Sequence, residues 1–119
     1  MKMVDAFAGM GGFSFALGSK YKTGLYCEIS KKCHLVLNCL MRDNKIDKAV
    51  IYPDITTLDL KGFCKEPFML TGGFPCTDLT SLSRAAVGIH GARSKLIFQI
   101  FRLIDETPNL RAVFWRIPP

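Results

Sequence analysis

Three glycines set close together behind a short apolar run constrain this chain more than any other feature. Met3-Val4-Asp5-Ala6-Phe7 has the character of a buried strand, and Ala8-Gly9-Met10-Gly11-Gly12 follows at once. Such a stretch reads as a tight turn, because glycine adopts left-handed backbone without a steric penalty. Phe13-Ser14-Phe15-Ala16-Leu17 then reads as a short helix ended by Gly18. Strand, glycine turn and helix make the first half of a nucleotide-binding βαβ unit, in which backbone N–H groups approach a ligand closely. The dinucleotide fingerprint is not met. G-x-G-x-x-G begun at Gly9 needs a glycine at 14, where Ser14 stands, so a pyrophosphate is not the indicated ligand.

The rest of the chain continues the alternation. Thr23–Glu28 reads as a second strand with an acid at its C-terminal end, where such folds hydrogen-bond ribose hydroxyls. Ser30 is placed to cap a helix over residues 31–40 with Val36, Cys39 and Leu40 on one face. Ala49–Tyr52 is a third strand leading to Pro53-Asp54-Ile55, a second acid at a strand end. Glu66–Thr71 is a fourth strand, opening into Gly72-Gly73-Phe74-Pro75-Cys76. A long loop leads to a helix over 94–104 with Ile97, Ile100, Phe101 and Ile104 as its buried stripe. Arg111–Trp115 is a fifth strand. This order predicts an α/β fold, a mostly parallel five-stranded sheet with helices on both faces. The candidate site residues then gather at the C-terminal strand ends, the ligand edge of such sheets.

Composition narrows the function classes. At 119 residues, 49% hydrophobic and 22% charged, the chain has the size and balance of one globular domain. No apolar run approaches a membrane span, and the N-terminus meets Asp5 and then glycines too early for a signal peptide. The expectation is a soluble, intracellular, cytoplasmic protein. A net charge of +6 favours a polyanionic partner. Five cysteines, an odd number without any C-x-x-C, argue against a disulfide scaffold. With His34 and His90 the only histidines, no metal site is expected, and His34 is expected on a helix surface.

A lone cysteine after a strand is more often a buried side chain than a nucleophile. Here it stands in order with other motifs, and together they resemble the C5-cytosine-specific DNA methyltransferases. Asp5 to Phe13 looks like that family's first motif, an F-x-G-x-G turn for S-adenosylmethionine. Glu28 matches the acid for the cofactor's ribose, Asp54-Ile55 the pair that holds its adenine, and Arg93 and Leu96 the R-x-x-L that opens the next helix. Gly72-Gly73-Phe74-Pro75-Cys76 matches the motif carrying the nucleophile. The resemblance implies a Rossmann-like methyltransferase fold whose cofactor contacts are Phe7, Ala8, Gly9, Gly11, Gly12, Phe13, Glu28, Ile29, Asp54, Ile55, Pro75 and Leu96. It also implies DNA as substrate, with Ser83, Arg84 and Arg93 on phosphates, and a target base flipped out of the duplex. Cys76 would attack C6 of cytosine, with Pro75 shaping its turn, so that C5 accepts a methyl group.

Two departures accompany the resemblance. The family's glutamate after the fifth strand, which engages cytosine, is replaced by Arg116. An arginine donates hydrogen bonds but accepts none. The target-recognition domain and later motifs of the family have no counterpart in residues 1–119, which correspond to the N-terminal part of a catalytic domain truncated after the fifth strand. A second chain supplying them is the partner this implies. The alternative is a catalytically inactive remnant or regulatory module that keeps the Rossmann-like core.

Overall fold

A computed structural model describes residues 1–73 and 96–116. Five strands and three helices are defined there: β1 (Lys2–Ala6), α1 (Gly12–Leu17), β2 (Lys22–Cys27), α2 (Lys31–Arg42), β3 (Val50–Tyr52), β4 (Phe68–Gly73), α3 (Ile97–Glu106) and β5 (Leu110–Arg116). The strands form one sheet in the order β3-β2-β1-β4-β5, and every neighbouring pair is parallel. The chain winds outward from β1 to β3, then returns to the other side of β1 with β4. The switch point therefore lies between the C-terminal ends of β1 and β4, where open α/β sheets bind ligands.

Alternation along the strands sends side chains to two faces. Val4, Ala6, Cys27, Phe68 and Leu70 pack with Ile100 and Leu103 of α3 on one face. Tyr26 packs with Leu37 and Met41 of α2, and with Ala8 and Ile46, on the other. Leu70 and Leu103 are fully buried, and burial of each leucine side chain contributes roughly 1.5–3 kcal/mol. On the second face, Ser14 of α1 hydrogen-bonds Thr23 and Tyr26 at 2.8 and 3.0 Å, tying the short helix to β2.

Several local expectations need correction. In α2 the buried residues are Leu37 and Met41, one turn apart, while Cys39 is exposed and Val36 and Leu40 are half-buried. The helix turns its Leu37 side to the sheet because that side meets Tyr26 and Ile46. In α3 the buried pair is Ile100 and Leu103, and Phe98, Phe101 and Ile104 are exposed. The stripe read from sequence was displaced by part of a turn because Leu103, not Ile104, meets the core beside Ile55 and Leu58. His34 is half-buried rather than a surface residue, with Nε2 against the carbonyl oxygen of Glu28.

The fourth strand extends through Gly72 and Gly73, where glycine predicts a turn. A side chain at Gly72 would stand 2.6 Å from Trp115 Cζ3 and 2.8 Å from the Ala6 carbonyl oxygen. Glycine is present at 72 so that β5 can bring an indole over the strand. β5 is one of the two edge strands among the described residues, and Val113 and Phe114 on it are exposed. Phe114 meets Phe13 edge-on, with ring centroids 5.7 Å apart, which joins α1 to this edge.

Candidate functional site

The turn after β1 forms as its glycines require. Gly9 and Gly11 have φ values of 56° and 82°, in the left-handed region. Phe7 also has a positive φ, 55°, at a cost of roughly 1–2 kcal/mol for a residue with a side chain. Its ring meets Trp115 edge-on, with centroids 6.0 Å apart. The turn is anchored by Ala8 N donating to the Cys27 carbonyl and Gly11 N donating to the Ala8 carbonyl, both at 2.9 Å.

Glu28, one residue beyond β2, has a structural task as well as a candidate ligand role. Its Oε1 accepts from Gly9 N and its Oε2 from Ser30 N, each at 2.8 Å. One carboxylate thus joins the glycine turn to the cap of α2, where Ser30 Oγ accepts from Cys33 N. Hydrogen bonds to a charged acceptor contribute about 1.5–3 kcal/mol each. Each oxygen keeps a second lone pair, so the carboxylate retains acceptor capacity for a ligand hydroxyl.

Two adjoining clefts open at this edge. One, about 480 Å³, is lined by Cys27, Glu28, Ile29, Pro53, Asp54, Ile55, Thr56 and Leu96. The other, about 530 Å³, is lined by Ala8, Met10, Gly12, Phe13, Ala16 and Arg116. Phe7, Gly9 and Gly73 line both. In the first, Asp54 accepts from Thr56 N at 2.9 Å and from Thr56 Oγ1 at 2.7 Å, which holds its carboxyl below the usual range. Ile55 contributes to this wall and to the core at once. Cys27 is buried beside Glu28 and Asp54; burial first, then those two charges, push its thiol up to about 12. It is protonated and unreactive at neutral pH.

Ten of the residues expected at the site, Phe7, Ala8, Gly9, Gly12, Phe13, Glu28, Ile29, Asp54, Ile55 and Leu96, line one cleft or both, and Arg116 joins them. Gly11 lines neither. A side chain there would stand 3.2 Å from both Leu37 Cδ2 and Ile46 Cδ1, so its part is to seat the turn on the core. Pro75, Cys76, Ser83, Arg84 and Arg93 lie outside the described residues. Among the described residues no group of three or more His, Cys, Asp or Glu side chains is arranged to hold a metal ion.

Asp5 carries a feature that its place at the start of the first motif does not announce. It is fully buried, one residue before the end of β1; its Oδ1 accepts from Thr71 Oγ1 at 3.3 Å, and Oδ2 has no hydrogen-bond partner among the described residues. Burial raises its carboxyl to about 7, Thr71 opposes the shift, and the charge of Glu28 adds to it. The signal in the sequence was an acid in the middle of an apolar strand, which only a sheet face closed by helices buries.

A parallel sheet of this order, with a glycine turn and an acid after the first two strands, defines the Rossmann-like fold of S-adenosylmethionine-dependent methyltransferases. The chain belongs to the C-5 cytosine-specific DNA methylases, whose family model matches residues 1–109. It is 31% identical over 116 residues to the type II methyltransferase M2.BsuMI of Bacillus subtilis, covering 97% of this chain and 28% of that protein. It is 35% identical over 109 residues to M.AluI of Cellulosimicrobium cellulans, covering 87% of this chain and 20% of the relative. The chain thus spans between a fifth and three tenths of the length of these two curated relatives. In fold it resembles the solved structure of a protein described as a DNA modification methyltransferase encoded within an Escherichia coli prophage, with a TM-score of 0.67 at 21% identity, over 94% of this chain and 30% of that one.

Among the described residues no helix is long and apolar enough to cross a membrane.

Proposed function

We propose that this chain carries the nucleophile and cofactor site of a DNA cytosine-5 methyltransferase. The observation that carries the reading is the position of Gly73. It lines both clefts and precedes Cys76 by three residues. The described residues therefore reach the cleft rim just before the segment that bears Cys76 in sequence.

The two clefts suit the two ends of S-adenosylmethionine. Glu28, with lone pairs to spare, would accept from ribose hydroxyls, and Ile29, Asp54 and Ile55 would flank the adenine. The Gly9–Gly12 turn would receive the amino-acid end. When bound, the cofactor supplies an electrophilic methyl group. Cys76, as its thiolate, would add to C6 of cytosine while N3 takes up a proton, which would make C5 nucleophilic. Once C5 is methylated, with the cofactor left as its demethylated thioether, C5 would lose its proton to solvent, N3 would release its own, and the S–C6 bond would break to return the thiolate. The base must leave the duplex first. Ser83, Arg84 and Arg93 would hold the flanking phosphates. A DNA substrate would be met inside the cell, and a restriction–modification setting is consistent with the type II relatives. A second chain carrying the family's remaining motifs is a partner consistent with this reading.

Arg116 favours a second reading, a cofactor-binding module without turnover. It stands at the end of β5, at the position of the family's glutamate, and offers cytosine no acceptor. Loss of acid assistance of this kind costs about 10²–10⁴-fold in rate. Incubation with S-adenosylmethionine and DNA containing 5-fluorocytosine separates the two. A covalent complex that survives denaturation and disappears in Cys76→Ser supports the enzyme. Cofactor binding without any adduct supports the module.

A further inference from the structure

Among the described residues, Arg116 is the only charged one lining the cleft of the glycine turn. Its guanidinium passes over Gly73: Nη2 and Nε lie 3.5 and 3.9 Å from the point a Cβ on that glycine would occupy. Phe13 Cε2 lies 3.9 Å from the same point. Gly73 thus leaves a gap into which the guanidinium and the Phe13 ring both face. No described acid pairs with Arg116, and the remaining lining residues are apolar or glycine. An unpaired guanidinium at the rim of an apolar cleft is a carboxylate or phosphate receptor, because its planar fork offers two parallel donors.

We propose that Arg116 pairs with the carboxylate of the amino-acid end of S-adenosylmethionine, so that it acts on the cofactor rather than on cytosine. This rests on the cofactor reading above. It changes the meaning of the arginine: a residue that cannot serve the base serves the ligand beside it. The cofactor's other two charged groups, ammonium and sulfonium, are cations that the guanidinium repels, so the pairing also sets the ligand's direction in the cleft.

The test is calorimetric and needs no turnover. S-adenosylmethionine and its decarboxylated analogue are titrated into the chain and into Arg116→Met and Arg116→Lys. The expected result is that the chain prefers the carboxylate-bearing ligand by about 10- to 100-fold. Arg116→Met removes that preference by weakening S-adenosylmethionine alone. Arg116→Lys retains part of it, as a point charge without the fork would. Equal affinity of the chain for both ligands, or a preference that survives Arg116→Met, overturns the proposal while leaving the cofactor site standing. Binding of neither ligand overturns both together. A parallel titration with a DNA duplex covers the remaining source of the same chemistry. If Arg116→Met weakens DNA and not the cofactor, the guanidinium serves a phosphate and the proposal fails.

Discussion

Replacing Asp5 by asparagine should make the protein more stable at alkaline pH than at acid pH relative to the parent. The carboxyl is fully buried, one oxygen lacks a partner among the described residues, and burial raises its pKa to about 7. In the unfolded chain an aspartate loses its proton near 3.9. Between those values the folded state binds more protons than the unfolded one, so stability falls as pH rises through the window. At about 1.4 kcal/mol per unit, a rise from 3.8 to about 7 corresponds to roughly 4 kcal/mol lost once pH is well above 7, of which about 2–3 kcal/mol is lost between pH 5 and pH 8. Asp5→Asn keeps the shape and cannot ionise. Its amide leaves a polar atom unpaired as the protonated acid does, so the variant should match the parent near pH 4 and exceed it by the full amount above pH 8. Urea unfolding followed by the fluorescence of Trp115, the single tryptophan, reads this directly. The difference between parent and variant cancels the other titrating groups. If that difference stays constant from pH 5 to pH 8, the buried-acid reasoning is refuted.

Two further outcomes follow from packing. Gly72→Ala should cost about 1–3 kcal/mol or more, because the new methyl meets Trp115 and the Ala6 carbonyl at 2.6 and 2.8 Å; urea unfolding measures it, and a shifted Trp115 emission would show the displaced indole. Among the described cysteines, Cys39 should be alkylated by iodoacetamide in the native protein and Cys27 spared, since one is exposed and the other is buried with its thiol raised to about 12. Peptide mapping by mass spectrometry distinguishes them, and modification of Cys27 at the rate of Cys39 would contradict the packing.

The order of strands and helices and the glycine turn were legible because they rest on local signals, whereas Phe7, Ala8, Ile29, Ile55 and Leu96 entered as cofactor contacts only through the motifs of the resemblance. Glycines at 9 and 11 announced left-handed backbone, and acids at strand ends announced a ligand edge. What escaped the sequence depended on contacts between distant segments. The rotation of α2 and α3 is set by which of several apolar residues meets the sheet, so Leu37 and Leu103 displaced the stripes that spacing favoured. Gly72 and Gly73 read as turn residues because glycine is poor in strands. Only the approach of Trp115 and Arg116 from β5 explains them within β4. Glu28 was expected to face a ligand; its hold on Gly9 and Ser30 could not be seen without the fold.

The missing side chain of Gly11 leaves room for Leu37 and Ile46 to press against the turn from the far side of the sheet's edge. The geometry of the turn is therefore indexed to apolar residues that line neither of its two clefts. Substitutions at 37 or 46 that alter volume by a methyl group would tilt the turn and change ligand affinity from behind. An inventory of residues near the ligand would overlook both positions, and a screen for altered cofactor binding should find them.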